Sequence, residues 1–169
     1  MALDGNKVVG ACLSRVLTRD EVFNYVIPSE LGPDDDPLNY NVVRMIVTLH
    51  RKLDLFAASD DNRILELGLC SVEPSHTGRG LASRLFRASL ELGSAQGVQA
   101  AKADCTGPAS AGGCRRAGMV AVCKLPYDEY QVNGNIVFNS PPGSYLSVMA
   151  CRLQKTEPYV LPFHIPSKI

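Results

Sequence analysis

Along the first half of the chain, the apolar positions alternate between the spacing of strands and that of helices. Val8, Val9, Ala11, Leu13 and Leu17 dominate residues 7–17 behind an Asp4-Gly5-Asn6 turn signal, which predicts a strand beginning almost at the first residue. Residues 18–37 hold Pro28, Gly32, Pro33 and the acidic triplet Asp34-Asp35-Asp36, a composition that predicts a loop or irregular excursion. Leu38, Val42, Ile46, Leu49 and Leu53 then recur every three or four residues as the buried face of a helix. Asp36 supplies its N-cap and Pro37 its first turn. After the Asp60-Asp61-Asn62 turn, Ile64, Leu65, Leu67, Leu69 and Val72 form the near-continuous apolar run of a strand buried on both faces.

The second half continues the alternation. Leu81, Leu85, Ala88 and Leu92 have helical spacing, with Gly93 and Gly97 near the expected stop, and residues 98–104 return to a buried strand. Strand, loop, helix and strand in that order make a βαβ unit with parallel pairing and a right-handed crossover. A short helix is expected over residues 106–117, ending at Gly118, then a strand over 119–125. Asn133-Gly134 marks a hairpin-like turn within 127–142, and a last strand over 145–153 precedes a proline-rich tail. The class is α/β.

Composition narrows the possibilities. At 169 residues, one domain spanning 1–169 is the natural expectation. Seventeen basic residues balance 17 acidic ones without a long basic cluster, which argues against nucleic acid as a partner. No apolar run reaches membrane-spanning length and the first residues do not form a targeting leader, so no membrane partner and a cytoplasmic location are expected. The six cysteines include no CxxC pair, which speaks against a zinc site or redox dithiol and for reduced thiols. No metal site is expected.

The segment Thr77-Gly78-Arg79-Gly80-Leu81-Ala82 lies between the central strand and the helix that follows it. A diphosphate needs several converging donors, and a loop entering a helix offers free backbone N–H groups and the positive end of the helix dipole. Gly78 and Gly80 let that backbone come close, Ala82 keeps the next turn slim, and Arg79 and the Ser83 hydroxyl offer further contacts. A dinucleotide-binding loop would want a third glycine where Ser83 stands, and a Walker loop would want Gly-Lys-Ser/Thr. A plain glycine-containing turn remains the alternative.

This setting resembles the GCN5-related N-acetyltransferase (GNAT) superfamily, whose motif is Arg/Gln-x-x-Gly-x-Gly/Ala between a strand and a long helix. Thr77, Gly80 and Ala82 take the matching places, with Thr77 where Arg or Gln is usual. More narrowly, the chain is similar to insect-type arylalkylamine or dopamine N-acetyltransferases. The likeness lies in its Asp4-Gly5-Asn6-Lys7-Val8-Val9-Gly10 opening, Leu53-Asp54-Leu55-Phe56, the Asp104-Cys105-Thr106-Gly107 strand exit and the stretch 130–138. The resemblance implies a mixed central sheet flanked by helices with a βαβ acetyl-CoA-binding core. In that family the pantetheine arm runs between two diverging parallel strands, so backbone groups of Cys70, Ser71 and Val72 would line it and residues 77–83 would hold the diphosphate. The implied activity is transfer of acetyl from acetyl-CoA to a small primary amine, an arylalkylamine.

Such chemistry needs a deprotonated amine, a polarised thioester and a proton for the leaving thiolate. The resemblance places assisting hydroxyls at Thr106 and Ser110; a hydroxyl at the helix start that satisfies the backbone is the plainer alternative for Ser110. Gly107-Pro108-Ala109-Ser110-Ala111-Gly112 lacks the spacing of a hydrolase elbow, and His50, His76 and His164 have no evident triad setting. Cys105 at a strand end suggests an acetyl-cysteine route only weakly, because a buried thiol without a base is inert. Glu66 and Asp104 lie on the two strands as alternative bases, with structural or exposed roles preferred. Tyr127, Tyr130, Phe138, Tyr145 and Phe163 are candidates for an aromatic-amine pocket, with ordinary core the preferred role. The family's catalytic glutamate belongs to an N-terminal strand and helix expected to be missing here, and Asp35-Asp36-Pro37-Leu38-Asn39 follows the opening strand rather than preceding it. A catalytically weak acyl-CoA-binding or protein-interaction domain is the competing expectation.

Overall fold

The computed structural model describes residues 1–57 and 61–153. Strands β1 (Ala2–Asp4), β2 (Lys7–Thr18), β3 (Arg63–Val72), β4 (Ala100–Cys105), β5 (Val120–Pro126) and β8 (Tyr145–Arg152) form one six-stranded sheet in the order β1-β2-β3-β4-β8-β5. β6 (Gln131–Val132) and β7 (Asn135–Ile136) form the small hairpin signalled by Asn133-Gly134. The helices are α1 (Arg19–Phe23), α2 (Pro37–Lys52), α3 (Leu81–Ala95) and α4 (Pro108–Arg116). β3 and β4 pair parallel across the α3 crossover, and every other pairing in the sheet is antiparallel.

Alternation along the strands divides the core between the sheet's two faces. Leu17, Ile64, Ala100 and Val148 point toward α2 and pack with Met45, Leu49, Leu53 and Phe56. Leu65, Leu67, Ala101, Ala103 and Met149 point the other way, against Phe86 and Leu90 of α3 and Cys114 of α4. Gly93 lets α3 sit close, since a Cβ there would come within 2.7 Å of Leu65. Three layers result, with helices covering both faces of a mixed sheet.

The parallel ladder between β3 and β4 has only two registered pairs, Leu65↔Ala101 and Glu66↔Lys102. Past them β3 continues to Val72 with no pairing on its β4 side, while its other edge stays registered to β2. The β2–β3 register steps from Leu13↔Leu69 to Ser14↔Leu67, so Gly68 is an extra residue on β3 at the point where the strands part. A bulge bends the strand that carries it, and this one coincides with the opening of a gap in the sheet.

The structure corrects several expectations. Residues 18–37 are not wholly irregular: Thr18 caps α1, its hydroxyl accepting from the Glu21 amide while Glu21 accepts from the Thr18 backbone. The Asp4-Gly5-Asn6 turn joins two strands, because β1 precedes it as a short edge. Leu38 is exposed rather than core. Asp36 and Pro37 do start α2, with Asp36 accepting from the Asn39 amide at 3.1 Å. The proline-rich tail, Phe163 and His164 lie outside the described residues.

Candidate functional site

The cradle segment sits at the start of α3, where Gly78 and Gly80 adopt φ of 76° and 73°. A side chain is strained in that left-handed region, and a Cβ at either glycine would stand in open space with no protein atom within 4 Å. Gly80 is the N-cap of α3 and supplies no side-chain cap, whereas α1 and α2 are capped by Thr18 and Asp36. The first-turn amides of Leu81, Ala82 and Ser83 are thus left without a side-chain acceptor. The neighbouring side chains are committed to the loop itself. Thr77 Oγ1 donates to the Pro74 carbonyl at 2.8 Å, and Arg79 donates to Ser75 O at 3.2 Å. Ser83 is buried, its Oγ accepting from Arg116 Nε at 3.1 Å. What the loop presents to a diphosphate is therefore backbone, in an open and glycine-bearing cradle that fits such a group.

Cys70, Ser71 and Val72 lie on β3 beyond its last pairing with β4, at the edge of the gap. On the α2 side, the gap meets a cavity of about 730 Å³. Val43, Ile46, Val47 and His50 of α2, spaced as one helix stripe, form one wall, while Leu13, Arg15 and Leu17 of β2 and Glu66 to Leu69 of β3 form another. Asp104 and Thr106 come from β4 and its exit, and Glu21, Val22 and Tyr25 from α1 and the following loop. Aliphatic side chains supply most of the lining surface, interspersed with polar and charged residues that include Arg15, Glu21, His50, Glu66 and Asp104, and the volume suits a small organic ligand.

The polar groups form a single network. Arg15, Glu66 and Lys102 occupy one row across three strands, because Arg15 is registered to Glu66 and Glu66 to Lys102. Arg15 Nε donates to Glu66 Oε2 at 2.6 Å, and Lys102 Nζ donates to Glu66 Oε1 at 2.5 Å and to Asp104 Oδ2 at 2.8 Å. His50 Nε2 is 2.9 Å from Asp104 Oδ1 and 3.4 Å from Lys102 Nζ. The Lys102 side chain is 0% exposed, with Glu66 at 13% and Asp104 at 11%. Burial alone would raise both carboxyl pKa values, but the Lys102 charge and the surrounding donors override it and hold both below their ordinary range, Asp104 well below. Burial opposes the Lys102 charge as well, and Asp104 and Glu66 together raise its pKa in spite of it.

Glu66 and Asp104 are thus neither exposed nor isolated; each is bound to Lys102 and lines the cavity. His50, without a visible setting in the sequence, has Asp104 as its partner. The available signal was three charged residues inside two otherwise apolar strands, together with a histidine seven positions after Val43 on an apolar helix stripe. Thr106 lines the cavity and Ser110 does not; Ser110 Oγ donates to the Gly107 carbonyl at 2.9 Å. Cys105 is buried against Cys114 on the face of α3 and α4, opposite to Asp104, which explains why alternation keeps its thiol away from the cavity. Tyr127, Tyr130 and Phe138 are core: the Phe138 ring packs 4.9 Å from Tyr127 and 5.8 Å from Tyr130. Tyr145 stacks under Lys124.

Among the described residues no helix is long and apolar enough to cross a membrane, and no cluster of histidine, cysteine or carboxylate side chains suits a metal ion. No family model matches the sequence, and no curated protein matches it. Solved structures do. Arylalkylamine N-acetyltransferase 2 from Aedes aegypti superposes with a TM-score of 0.74 at 24% identity, over 91% of this chain and 72% of that one. The polyamine N-acetyltransferase of Drosophila melanogaster, an enzyme that forms N-acetylagmatine, gives 0.70 at 19% identity, over 89% of this chain and 72% of that one. An agmatine N-acetyltransferase in its apo form gives 0.72 at 19% identity, over 89% and 71% of the two chains. The chain has the GNAT fold and resembles the insect arylalkylamine N-acetyltransferases.

Proposed function

We propose that this protein is an N-acetyltransferase that moves an acetyl group from acetyl-CoA to a small primary amine with an apolar, arylalkyl body. The observation that carries this reading is the gap between β3 and β4, with an uncapped glycine cradle at the head of α3 and an apolar cavity on the α2 side. Backbone amides at residues 80–83 would hold the diphosphate. The unpaired edge at Cys70, Ser71 and Val72 would hold the pantetheine arm, bringing the thioester to the cavity.

Leu13, Leu17, Val22, Val43, Ile46 and Val47 would bury the amine's apolar body. Glu21 at the cavity rim favours a cation, and the amine would reach the Thr106 end as a nucleophile. Attack on the thioester carbonyl would form the amide and release free coenzyme in a single displacement, without an enzyme-bound acetyl group. Cys105 faces the opposite layer, which supports a direct route.

Two measurements test the proposal. Calorimetric titration with acetyl-CoA should show binding by the folded protein, and release of free thiol should follow addition of tyramine, dopamine, serotonin or a polyamine. Absence of coenzyme binding would overturn the reading. Binding without turnover of any amine would leave an acyl-CoA-binding domain, and a preference for the polyamine would overturn the arylalkyl part.

A further inference from the structure

We infer that His50 is the general base for the acceptor amine, set in one tautomer by Asp104 and held at the cavity wall by the Lys102–Glu66–Arg15 row. This rests on the acetyltransferase reading and adds the group that takes the proton.

Of the cavity's ionisable groups, two are poorly suited to accept a proton. Asp104 is bound by Lys102 and His50, and Glu66 is bound by Lys102 and Arg15, so protonating either would break charge-assisted hydrogen bonds. Lys102 and Arg15 carry their protons in those same contacts. At Glu21 the Oε2 oxygen accepts from the Thr18 backbone at 2.7 Å and the Thr18 hydroxyl at 2.8 Å, and these bonds hold its carboxyl below the usual range, which makes it a weaker base than an imidazole. Tyr25, from the loop after α1, is a phenol. The His50 ring is the remaining lone-pair base.

Its partners decide which nitrogen is free. Nε2 lies 2.9 Å from Asp104 Oδ1, a carboxylate that can only accept, so Nε2 carries the proton and donates. Lys102 Nζ, farther away at 3.4 Å, directs its short hydrogen bonds to Glu66 and Asp104. In the neutral ring Nδ1 is then the nitrogen with the free lone pair, and it has no hydrogen-bond partner among the described residues. With a neutral imidazole, two carboxylates balance Lys102 and Arg15, and a proton gained on Nδ1 is stabilised across the ring by Asp104. Histidine oriented by a carboxylate is a recurrent base arrangement.

In the step, the substrate ammonium gives one proton to Nδ1, and the freed nitrogen lone pair attacks the thioester carbonyl. The C–N bond forms, the C–S bond breaks with its electron pair on sulfur, and the second nitrogen proton passes to the thiolate. The proton on Nδ1 returns to water through the open cavity. The balance is ammonium and thioester in, and amide, thiol and one proton out.

His50→Gln keeps a donor for Asp104 but offers no basic lone pair. With acetyl-CoA affinity and fold retained, kcat should fall about 100-fold or more, and the acidic limb of the kcat/KM profile should disappear. His50→Ala should be equally slow and partly rescued by added imidazole. Nitrogen-15 NMR of the wild type should show the neutral ring protonated at Nε2 and bare at Nδ1. A neutral ring protonated at Nδ1, a His50→Gln kcat within about threefold of wild type, or a persisting acidic limb would overturn the assignment. These results are distinct from failure to bind acetyl-CoA, which would remove the acetyltransferase reading itself.

Discussion

Glu66 and Lys102 are both the last registered pair of the parallel β3–β4 ladder and an ion pair with the Lys102 side chain fully buried. The point where the sheet opens is therefore also the point where charge is concentrated. Two largely buried carboxylates and one fully buried ammonium are held there. Removing one partner of such a cluster leaves uncompensated charge, which costs about 3–5 kcal/mol in buried ion pairs. Lys102→Met should accordingly lower stability by roughly 3 kcal/mol, read as a reduced urea midpoint at neutral pH. An unchanged midpoint would mean that water reaches the cluster more freely than its burial indicates.

Acid should erode the same stabilisation. Burial alone would raise the Asp104 and Glu66 pKa values, yet Lys102 with His50, and Lys102 with Arg15, bring them below the ordinary range. In the unfolded chain such groups titrate at ~3.9 and ~4.3, so the folded state holds fewer protons. Their contribution is complete above about pH 5 and is lost as pH falls through the lower folded values. Lys102, with its pKa raised, stays charged throughout this range. Wild-type urea midpoints should hold level above about pH 5 and fall from there to pH 3. In Lys102→Met, protonation removes an uncompensated charge, so the gap to wild type should narrow. A gap that widens on acidification would contradict the arrangement.

The cradle makes a separable prediction. Gly80→Asp puts a side chain and a negative charge where the diphosphate would lie, at a φ of 73° that costs a non-glycine residue about 1 kcal/mol or more. Acetyl-CoA affinity measured by calorimetry should fall at least about 100-fold, while Gly80→Ala, which shares the strain but adds no charge, should fall between the two. Equal losses in both variants would trace the effect to backbone strain rather than to the anion.

Much of the fold was legible because strands covered on both faces leave continuous apolar runs, as at Ile64, Leu65 and Leu67. The glycine-bearing loop at the head of α3 was legible because a loop before a helix signals itself locally. What remained hidden depends on distant pairing or on very short elements. Thr18 and Glu21 have the spacing of a capping box, but the prolines and glycines that follow obscured five residues of helix. Glu66 and Asp104 were visible as charges in apolar strands, yet Glu66 meets Lys102 only through a register that joins positions 36 residues apart. His50 could be linked to Asp104 only once α2 was packed on the sheet.

Thr106 and Ser110 entered together as candidate hydroxyls, and the cavity separates them. Thr106 lines it, whereas Ser110 is outside its lining and donates to Gly107 O at the start of α4. Thr106→Val should raise the KM for the amine several-fold with little change in acetyl-CoA affinity. Ser110→Ala should cost about 1 kcal/mol of stability through the lost hydrogen bond and leave the amine KM within about twofold. The reverse ranking in steady-state kinetics would show that the acceptor enters from the α4 side.

Tyr127 fixes Thr106 from beneath. Its hydroxyl donates to the Thr106 carbonyl at 2.9 Å, while its ring is held in the core against Phe138. The contact ties the exit of β4 to the turn after β5, so the backbone at the cavity's end is positioned by a core residue rather than by its own loop. Tyr127→Phe keeps the ring and deletes only the donor, at a cost of about 1 kcal/mol. The specific expectation is a split: a modest fall in urea midpoint, a several-fold rise in amine KM, and acetyl-CoA affinity unchanged, because the cradle on α3 lies outside this contact. A variant that loses stability but keeps the wild-type amine KM would show that Thr106 is held by the rest of its loop and that Tyr127 is structural alone.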